Sequence, residues 1–326
     1  MHNKKHYDMV ALGELLIDFT VSGISEAGQR LFEQNPGGAT ANVLSAVSRY
    51  GLKTAFIGKV GHDMHGEYLT QTLNKMGIHT GGLVMTDDVF TTMAFVALEA
   101  GGERRFSFAR KPGADTCLTW EEVDQSLLAD TRIFHIGSLS LTDEPARTTT
   151  FKAIEYAKNA GALISYDPNY RASLWPDTNI ASQMMRAVLP YVDIVKLSDE
   201  ETELLTDQSS PEAASAALLA AGAQCVVVTL GKSGALVSSQ NIYQFVEGYD
   251  IPAVDTTGAG DAFFGGFLYR ILTSSKAISQ CTADELLHFG RFANATATLC
   301  VQRHGGIPAM PTLAETDALM QRYSFC

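Results

Sequence analysis

Short apolar segments alternate with helical segments along most of this 326-residue chain, and this alternation restricts the possible folds more than any other feature of the sequence. Strand-length apolar runs are followed by stretches with helical periodicity, and two of those stretches end at a glycine, Gly51 or Gly77. Parallel strands need long crossover connections, which helices usually supply. The sequence therefore predicts an α/β fold with a mostly parallel central sheet sandwiched by helices. The predicted strands of this sheet are 9–17, 54–60, 133–136, 162–166, 193–196 and 225–230.

A small group of β-rich segments departs from this alternation. Residues 83–110 contain two stretches rich in strand-forming residues, which are separated by a Glu-Ala-Gly-Gly-Glu turn at 99–103. No helical pattern falls between them. We expect these strands, together with strands within roughly 19–35, to form a small β-strand lid inserted into a single domain that spans residues 1–326.

The composition excludes several classes of protein. Hydrophobic residues make up 46% of the chain, so one large core can form. The formal net charge is −12, which argues against a nucleic-acid partner because such a protein needs a basic face. The N-terminus has no apolar signal segment and no apolar stretch reaches membrane-spanning length, so we expect a cytoplasmic protein with no membrane partner. The cysteines are scattered and never spaced as Cys-x-x-Cys, which favours free, buried thiols over a disulfide framework or a zinc site.

The stretch Asp-Thr-Thr-Gly-Ala-Gly-Asp at 255–261 carries the clearest chemical signal. Gly258 and Gly260 tolerate backbone conformations that a Cβ would forbid, so this loop can turn its N–H groups inward. The apolar run at 262–268 predicts a buried helix immediately behind the loop. Unpaired N–H groups and the dipole at a helix N-terminus favour an anion and stabilise charge on a phosphoryl group. We expect the same field to keep Asp261 ionised, so that it can accept a proton as a general base.

A purely structural interpretation of the same stretch is also open. Gly-x-Gly-Asp before a helix can be a tight turn in which Asp261 is the N-terminal cap. Two familiar phosphate-binding motifs do not fit. The stretch lacks the Gly-Lys-Ser/Thr ending of a P-loop, and Phe263 stands where a dinucleotide-binding fingerprint needs glycine.

Polar residues follow the predicted parallel strands at the points where the strands end. In an open α/β sheet, ligands bind outside the carboxyl ends of the strands. We therefore expect these residues to gather at one edge of the sheet and to form a binding site there. They are Asp18, 167–171, 196–201 and 229–231.

With a second glycine motif, Pro-Gly-Gly-Ala-Thr-Ala-Asn at 36–42, the chain resembles the ribokinase-like (PfkB) sugar kinase family, and within it most closely the fructokinases. The resemblance extends from residues 13–14 to 306–309 and is most specific at 37–63 and 255–266. It implies a ribokinase-like fold, in which helices sandwich a mostly parallel sheet that carries a small β-strand lid. It also implies transfer of the γ-phosphoryl group of ATP to a sugar hydroxyl, with Mg²⁺ as cofactor.

The resemblance assigns roles to individual residues. Asp261 becomes the general base, and Gly258, Ala259 and Gly260 supply the N–H groups of the anion hole. Arg110 lies close to the acceptor and the transferred phosphoryl group. The residues that match acceptor-binding positions are Asp18, Gly38, Asn42, Arg110, Asp167, Arg171 and Asp261. The residues that match nucleotide-binding positions are Lys196, Thr229, Gly231, Gly258, Gly260 and Asn294.

The resemblance also implies two cation sites. Glu201 matches an acidic residue that organises Mg²⁺ through water, and Asp255 and Thr257 match a loop that binds a monovalent cation, usually K⁺. The chain departs from the family pattern in two places. Ser198 occupies the place of a common asparagine near Glu201, and Thr40 replaces a proline that often precedes the Ala-Asn pair of the first glycine motif.

Simpler structural roles are open for three of these residues. Asp18 could simply end a strand, and Arg171 could form a salt bridge with Asp167. Lys196 could belong to a solvated charge cluster with the acidic residues that follow it. These roles need no ligand, so such positions are weaker evidence of function than the two glycine motifs.

The leading hypothesis is therefore an ATP-dependent fructokinase that acts on small molecules and whose lid strands could pair between the subunits of a homodimer. A kinase of another acceptor, such as 2-dehydro-3-deoxygluconate, another ketose or a riboside, is the nearest alternative. A non-catalytic sugar- or nucleotide-binding sensor would have no need of the base Asp261. A nicotinamide dehydrogenase is suggested by the α/β alternation alone, which does not establish function.

Overall fold

The computed structural model describes residues 5–98 and 104–323. The strands are β1 (Tyr7–Leu12), β2 (Leu16–Ile24), β3 (Arg30–Gly37), β4 (Thr54–Gly61), β5 (His79–Thr86), β6 (Met93–Leu98), β7 (Arg104–Ala109), β8 (Thr131–Gly137), β9 (Leu163–Asp167), β10 (Ile194–Ser198), β11 (Cys225–Thr229), β12 (Gly234–Ser239) and β13 (Ile242–Glu247). The helices are α1 (Ala39–Arg49), α2 (Met64–Lys75), α3 (Gln125–Ala129), α4 (Ala146–Asn159), α5 (Thr178–Val188), α6 (Thr202–Thr206), α7 (Pro211–Ala220), α8 (Ala259–Thr273), α9 (Ala283–Cys300) and α10 (Leu313–Tyr323).

Nine of these strands form one sheet in the order β13-β12-β11-β10-β9-β8-β1-β4-β5. All neighbours from β11 to β5 are parallel, whereas β12 and β13 pair antiparallel at one edge. Helices follow most of the parallel strands, as the crossover connections require. The predicted α/β class with a mostly parallel central sheet is confirmed.

Both faces of the central sheet are buried, and β1 shows how the sequence encodes this. Met9 and Ala11 pack into one hydrophobic core, together with residues of α1, α8 and α9. Val10 and Leu12 point to the opposite face and pack into a second core, with residues of α4 and α5. Because successive side chains of a strand point to opposite faces, a strand covered on both sides must be apolar at every position.

The prediction of one strand over 9–17 is wrong, because the run is divided between two sheets. β1 ends at Leu12, and the chain enters the second sheet at the start of β2. A Cβ on Gly13 would lie 2.3 Å from Thr40 Oγ1, so only glycine permits the close approach at this crossing. The prediction that Asp18 ends a strand of the main sheet is therefore also wrong, since Asp18 lies within β2.

The second sheet has four strands in the order β3-β2-β6-β7. Its central pair, β2 and β6, is parallel, and the two outer pairs are antiparallel. Residues 83–86, which were expected among the lid strands, instead belong to β5 of the main sheet. The expected turn at 99–103 lies outside the described residues. Movement of this sheet as a lid stays a prediction.

Two further expectations concern membranes and cysteines. Within residues 5–98 and 104–323, no helix is both long and apolar enough to cross a bilayer. Cys225, Cys281 and Cys300 are buried free thiols, and Cys117 is a free thiol that is partly exposed. Cys326 lies outside the described residues.

Helix α8 packs closely against α1 and α9 because two of its residues have no side chain. A Cβ on Gly265 would lie 2.6 Å from Ala46 Cβ and 2.8 Å from the carbonyl oxygen of Val43 in α1. A Cβ on Gly266 would lie 2.5 Å from Thr296 Oγ1 in α9. The glycine pair therefore sets the depth at which α8 lies in the core.

The substitution Gly265→Ala is expected to lower the free energy of unfolding. Alanine improves helix propensity by about 1 kcal/mol, whereas overpacking a core costs about 1–3 kcal/mol. The overpacking cost should dominate, because the obstructing carbonyl belongs to the backbone of α1 and cannot rotate away. Urea denaturation measures the difference. Gly23→Ala is the control, since a Cβ there meets no atom within 4 Å, and equal stability of the two variants would refute the packing argument.

Candidate active site

Asp261 lies in the first turn of α8 and is buried, with 5% of its surface exposed. Gly258 precedes the helix with a left-handed φ of 74°, which glycine adopts without strain. Gly258 is the N-cap residue of this helix, and Asp261 is its third residue. Its Oδ2 accepts a hydrogen bond from Asn42 Nδ2 at 2.8 Å, and its Oδ1 accepts one from Asn169 Nδ2 at 2.9 Å. The interpretation of Asp261 as an N-terminal cap is therefore wrong.

The two amides come from two separate parts of the chain and meet at one carboxylate, which lies on a third. Asn42 lies in the first turn of α1, and Asn169 follows the end of β9. Asn169 has a φ of 45°, an uncommon conformation for a residue with a side chain, and its backbone N–H donates to Asp167 Oδ1 at 3.2 Å. Sequence reasoning included Asn169 in a polar segment but gave it no role. Its position at a strand end was the only signal, because the conformation that aims its amide is not evident in the sequence.

A cavity of about 320 Å³ opens on one side of Asp261, and we call it the acceptor cavity. Strand β2 supplies Asp18 to its wall, β7 supplies Phe108, and the loop before α1 supplies Gly38. A Cβ on Gly38 would lie 2.3 Å from the carbonyl oxygen of Glu14, so only glycine fits there. Five of the predicted acceptor-binding residues meet in this cavity: Asp18, Gly38, Asn42, Arg171 and Asp261.

Glu14 also lines the acceptor cavity, although sequence reasoning gave it no role. It lies where the chain passes from β1 to β2, and its Oε1 accepts a hydrogen bond from the backbone N–H of Ala39 at 2.6 Å. Burial raises the pKa of Glu14 to about 7, although the N–H groups of Glu14 and Ala39 oppose the shift. Its interruption of an apolar run was the signal that could have identified it.

A second cavity, of about 330 Å³, lies on the other side of Asp261, and we call it the phosphate cavity. Asp261 and Gly258 line both cavities. The predicted nucleotide and metal residues that meet in the phosphate cavity are Lys196, Glu201, Thr229, Gly231, Gly258, Ala259 and Gly260. Asn169, Arg171 and Thr256 also line both cavities, so the two cavities meet around Asp261 and the glycine loop.

Lys196 and Asp167 form a buried ion pair behind these cavities. Lys196 Nζ lies 3.0 Å from Asp167 Oδ2, and the two side chains are 6% and 1% exposed. The alternative of a solvated charge cluster around Lys196 is therefore wrong. Asp167 pairs with Lys196 rather than with Arg171, whose guanidinium donates to the backbone oxygen of Tyr170 at 3.0 Å. Burial raises the pKa of Asp167 to about 7, and the charge of Lys196 opposes this shift.

Burial also raises the pKa of Asp261 above its ordinary value. The charge of Lys196 is the largest opposing influence, and the hydrogen bonds from Asn42 and Asn169 act in the same direction. The raised pKa increases the proton affinity of the carboxylate, which suits a group that accepts a proton from a hydroxyl group. We expected the helix N-terminus to keep Asp261 ionised, but the net effect of its surroundings is to raise its pKa.

The three predicted N–H donors are not equivalent. The N–H of Ala259 donates to the carbonyl oxygen of Thr256 at 3.3 Å. No backbone hydrogen bond within the described residues uses the N–H of Gly258 or Gly260. A Cβ on Gly260 would lie 2.8 Å from Lys196 Nζ, so glycine permits the ammonium group to approach the loop.

A third cavity, of about 270 Å³, continues from the phosphate cavity, and we call it the base cavity. The two share Thr229, Gly231, Thr256, Ala259 and Gly260. The walls of the base cavity are mainly apolar, and they include Phe263 of α8. Asn294 of α9 lies in this cavity and not in the phosphate cavity.

Arg110 is the predicted site residue whose surroundings differ most from expectation. Its guanidinium pairs with Asp115 at 2.7 Å and donates to Thr142 Oγ1 and to the carbonyl oxygen of Leu139, each at 2.8 Å. It lines a separate cavity of about 600 Å³, which meets the acceptor cavity at Phe108. Its catalytic role stays a prediction.

The predicted cation-binding residues are engaged with the backbone. Glu201 Oε1 accepts from the N–H of Tyr170 at 2.7 Å, and Oε2 accepts from the N–H of Ser198 at 2.8 Å. Asp255 Oδ1 accepts from the N–H of Thr257 at 2.8 Å. Among the described residues, no three acidic, histidine or cysteine side chains are grouped so that they could hold a metal ion by themselves. A divalent cation here would need ligands from a bound nucleotide or water.

Comparisons with known proteins identify the family to which the chain is similar. The model described as pfkB family carbohydrate kinase matches residues 8–313. Fructokinase-1 of Zea mays is 41% identical over 317 residues, which cover 96% of this chain and 98% of the relative.

Solved structures show the same likeness. The structure of fructokinase with bound ATP from Xylella fastidiosa matches with a TM-score of 0.90 at 35% identity, covering 98% of this chain and 99% of the other. Fructokinase from Vibrio cholerae O395, in a form with bound fructose, ADP and calcium ion, matches with a TM-score of 0.86 at 33% identity, covering 96% and 99%. The match extends over nearly the whole chain, and the chain belongs to the pfkB family of carbohydrate kinases.

Proposed function

We propose that this protein is an ATP-dependent fructokinase, which transfers the γ-phosphoryl group of ATP to a hydroxyl of fructose. The observation that carries the proposal is the position of Asp261, which lines both the acceptor cavity and the phosphate cavity. The known structures with bound ATP, or with fructose and ADP, support this choice of substrates. An acceptor hydroxyl beside Asp261 would face the terminal phosphoryl group of a nucleotide in the neighbouring cavity.

The residues around Asp261 suit phosphoryl transfer, which depends mainly on positioning and charge stabilisation. Asn42 and Asn169 hold the two carboxylate oxygens, so that the carboxylate has one orientation toward the acceptor. It accepts the proton as the hydroxyl oxygen attacks phosphorus. The N–H groups of Gly258 and Gly260 and the ammonium of Lys196 stabilise negative charge on the phosphoryl oxygens. Asp18, Gly38 and Arg171 are the proposed contacts of the sugar.

We propose Mg²⁺ as the divalent cation at the phosphate cavity. Asp199, Glu200 and Glu201 line this cavity, and carboxylate oxygens are ligands that suit a hard cation. Because both oxygens of Glu201 accept hydrogen bonds from the backbone, Glu201 would hold the cation through water, which Mg²⁺ retains readily. When bound, Mg²⁺ neutralises charge on the nucleotide phosphates.

We also propose that K⁺ binds beside the loop that precedes α8. Asp255 holds this loop in place, because its Oδ1 accepts from the N–H of Thr257 and its Oδ2 accepts from the N–H of Gly305 at 3.0 Å. The first bond fixes the backbone immediately before Gly258, and the second joins this loop to Gly305. A cation at this loop would therefore act by ordering the anion hole rather than by contacting the substrates.

We propose a homodimer that forms through the second sheet. The face of this sheet opposite the acceptor cavity carries exposed aromatic side chains, of which Phe32 is 43% and Phe95 38% exposed. Phe95 stacks on Phe19 at 5.3 Å and meets Phe32 edge to face at 6.1 Å. A contiguous exposed aromatic surface of this kind favours association with another protein surface.

Fructose is expected to be the preferred acceptor in an assay of ADP release with Mg²⁺, K⁺ and ATP. The panel contains fructose, ribose, tagatose, 2-dehydro-3-deoxygluconate and aminoimidazole riboside. Preference for another sugar would replace the acceptor and keep Asp261 as the base. ATP binding without turnover on any member of the panel would favour a sensor over an enzyme.

The substitution Asp261→Asn is expected to lower kcat by about 10²–10⁴-fold, because the amide cannot accept the proton. Fructose binding should largely persist, since the side chain keeps its shape and the base acts in the transition state. Steady-state kinetics and calorimetry measure the two effects. Asp250→Asn, at an exposed position, is the control.

The pH dependence of wild-type kcat/KM tests the same assignment. Activity should fall as pH decreases through the pKa of Asp261, because protonation removes the base. This acid limb should lie above the ordinary pKa of aspartate, about 4, since burial raises the pKa of Asp261. Near-normal kcat in Asp261→Asn, or an acid limb at the ordinary value, would be inconsistent with a buried base.

The substitution Phe32→Glu is expected to convert the homodimer to a monomer, because it places a charge on the exposed aromatic face. Light scattering coupled to size-exclusion chromatography measures the molar mass. Phe245→Glu is the matched control, since Phe245 is an exposed phenylalanine on β13 of the main sheet. A monomeric wild type, or dissociation caused by the control substitution alone, would exclude the second sheet as the interface.

A further inference from the structure

The cavity of about 600 Å³ beside Arg110 has no part in the proposed function, and we call it the outer cavity. It is larger than the acceptor cavity, whose volume is about 320 Å³. Among the residues that the structure describes, Phe108 is the only one that lines both cavities. Phe108 lies in β7 of the second sheet, and it is partly buried. It is therefore the point of contact between the proposed sugar site and the space outside it.

Two other chain segments pass along both cavities, which places the cavities side by side. Leu139 lines the acceptor cavity, and Thr142, at the end of the same helical turn, lines the outer cavity. Arg171 lines the acceptor cavity, and Ser173 lines the outer cavity. The turn that carries Ser173 also packs against β7. Phe108 therefore lies on the boundary between the two cavities.

The walls of the outer cavity suit a polar ring. Leu174, Trp175 and Pro176 make one part of the wall apolar. Three further residues of the wall are exposed and offer hydrogen-bonding groups: Ser107, Lys111 and Ser173. Sites for small molecules combine apolar and aromatic walls with a few polar groups in this way. A glycosyl unit, which has an apolar ring face and a hydroxyl edge, matches this combination.

The charges of the outer cavity favour a neutral ligand over an anion. The guanidinium of Arg110 is engaged by the protein, because it pairs with Asp115 at 2.7 Å and donates to Thr142 Oγ1 at 2.8 Å. Of the other charged side chains on the wall, Lys111 is positive, and Asp143, which lies 3.7 Å from the guanidinium, is negative. No net charge is left to attract a phosphate or carboxylate group.

The phenyl group of Phe108 limits what the acceptor cavity can hold. Its volume of about 320 Å³ is near the lower end of the range for small-molecule sites, about 300–1,000 Å³. A sugar whose hydroxyl faces Asp261 meets Phe108 where the acceptor cavity ends. A second ring on that sugar would overlap the phenyl group, and such a clash rejects the larger ligand.

We propose that Phe108 is a specificity determinant that restricts the acceptor to one sugar ring by closing the acceptor cavity toward the outer cavity. Without the phenyl group the two cavities would join, and a second glycosyl ring would lie along Leu174 and Trp175. This inference rests on the proposed function, because it takes the acceptor cavity to hold fructose.

Turnover of fructose and of glucosyl-fructose disaccharides by Phe108→Ala tests the proposal. The probes are turanose, maltulose, leucrose, isomaltulose and trehalulose, in which glucose is linked to different hydroxyls of fructose, so most of them leave the reacting hydroxyl free. Wild type is expected to favour fructose over each disaccharide by about 100-fold or more in kcat/KM, because the second ring does not fit. In Phe108→Ala the preference over at least one disaccharide should fall about tenfold or more, while the KM of fructose rises through lost contacts.

Two substitutions in the outer cavity test whether the second ring lies there. Ser173→Trp fills the outer cavity from an exposed position. Added to Phe108→Ala, it should restore the preference for fructose without restoring the lost fructose contacts. Leu174→Ala is the matched control, because it enlarges the outer cavity and leaves the phenyl group in place. It should keep the wild-type preference, whereas a general loosening of the site would lower the preference in both Leu174→Ala and Phe108→Ala.

Wild-type turnover of the disaccharides as efficient as that of fructose, or an unchanged preference in Phe108→Ala, would overturn the proposal. The first comparison needs no variant, and Phe108→Leu supplies a smaller change if the alanine variant does not fold. Wild type that turns over no fructose would refute the fructokinase proposal and this inference with it. An active fructokinase that keeps its preference without the phenyl group would exclude Phe108 as the boundary and leave the fructokinase proposal intact.

Discussion

The close packing of α8 against its neighbouring helices is the constraint on which the site depends. Gly265 and Gly266 leave no room for side chains where α8 meets α1 and α9. Helix α1 carries Asn42, which reaches Asp261 in the first turn of α8. The distance between the base and this amide is therefore set by the same helix interface that builds one of the two cores. The same helix interface therefore contributes to the stability of the fold and positions the proposed base.

Burying the charged groups at this surface costs free energy, and this cost indicates a functional role for them. Asp167, Lys196 and Asp261 lie together with little exposure, and removing ions from water costs several kcal/mol each. The ion pair of Lys196 and Asp167 offsets part of this cost. The pKa of Asp167 nevertheless rises to about 7, so the compensation is incomplete. A cluster with this cost is poor at stabilising a fold, and such clusters are concentrated at functional sites.

Lys196 contributes to both parts of the proposed chemistry, which are proton acceptance by Asp261 and binding of the phosphoryl group. As a cation close to Asp261, it favours the ionised form of the carboxylate and so opposes the effect of burial on its pKa. The same ammonium lines the phosphate cavity, where, on the proposed function, it would attract the anionic donor. One buried charge thereby favours both the ionised state of the base and the binding of the phosphoryl group.

The sequence predicted the main sheet and the glycine loop well because each leaves a local signal. An apolar run between two helical patterns indicates a covered strand, and the predicted 133–136 and 225–230 lie within two residues of β8 and β11. The break at Gly13 could not be predicted in this way, because an apolar run suits a strand of either sheet. It depends on the distant Thr40. The role of Asn169 depends on a backbone conformation, which leaves no local pattern in the sequence.

The acceptor, phosphate and base cavities differ in whether residues of the second sheet line them. This difference bears on how a kinase avoids transferring the phosphoryl group of its donor to water. Residues of β2 and β7, among them Asp18 and Phe108, line the acceptor cavity. Within the described residues, no residue of the second sheet lines the phosphate or base cavity. On the proposed assignment of the cavities, the second sheet completes the sugar site, and none of its described residues contributes to the nucleotide site. Coupling closure to the acceptor in this way would exclude water, the competing acceptor, at the moment when Asp261 faces the hydroxyl group.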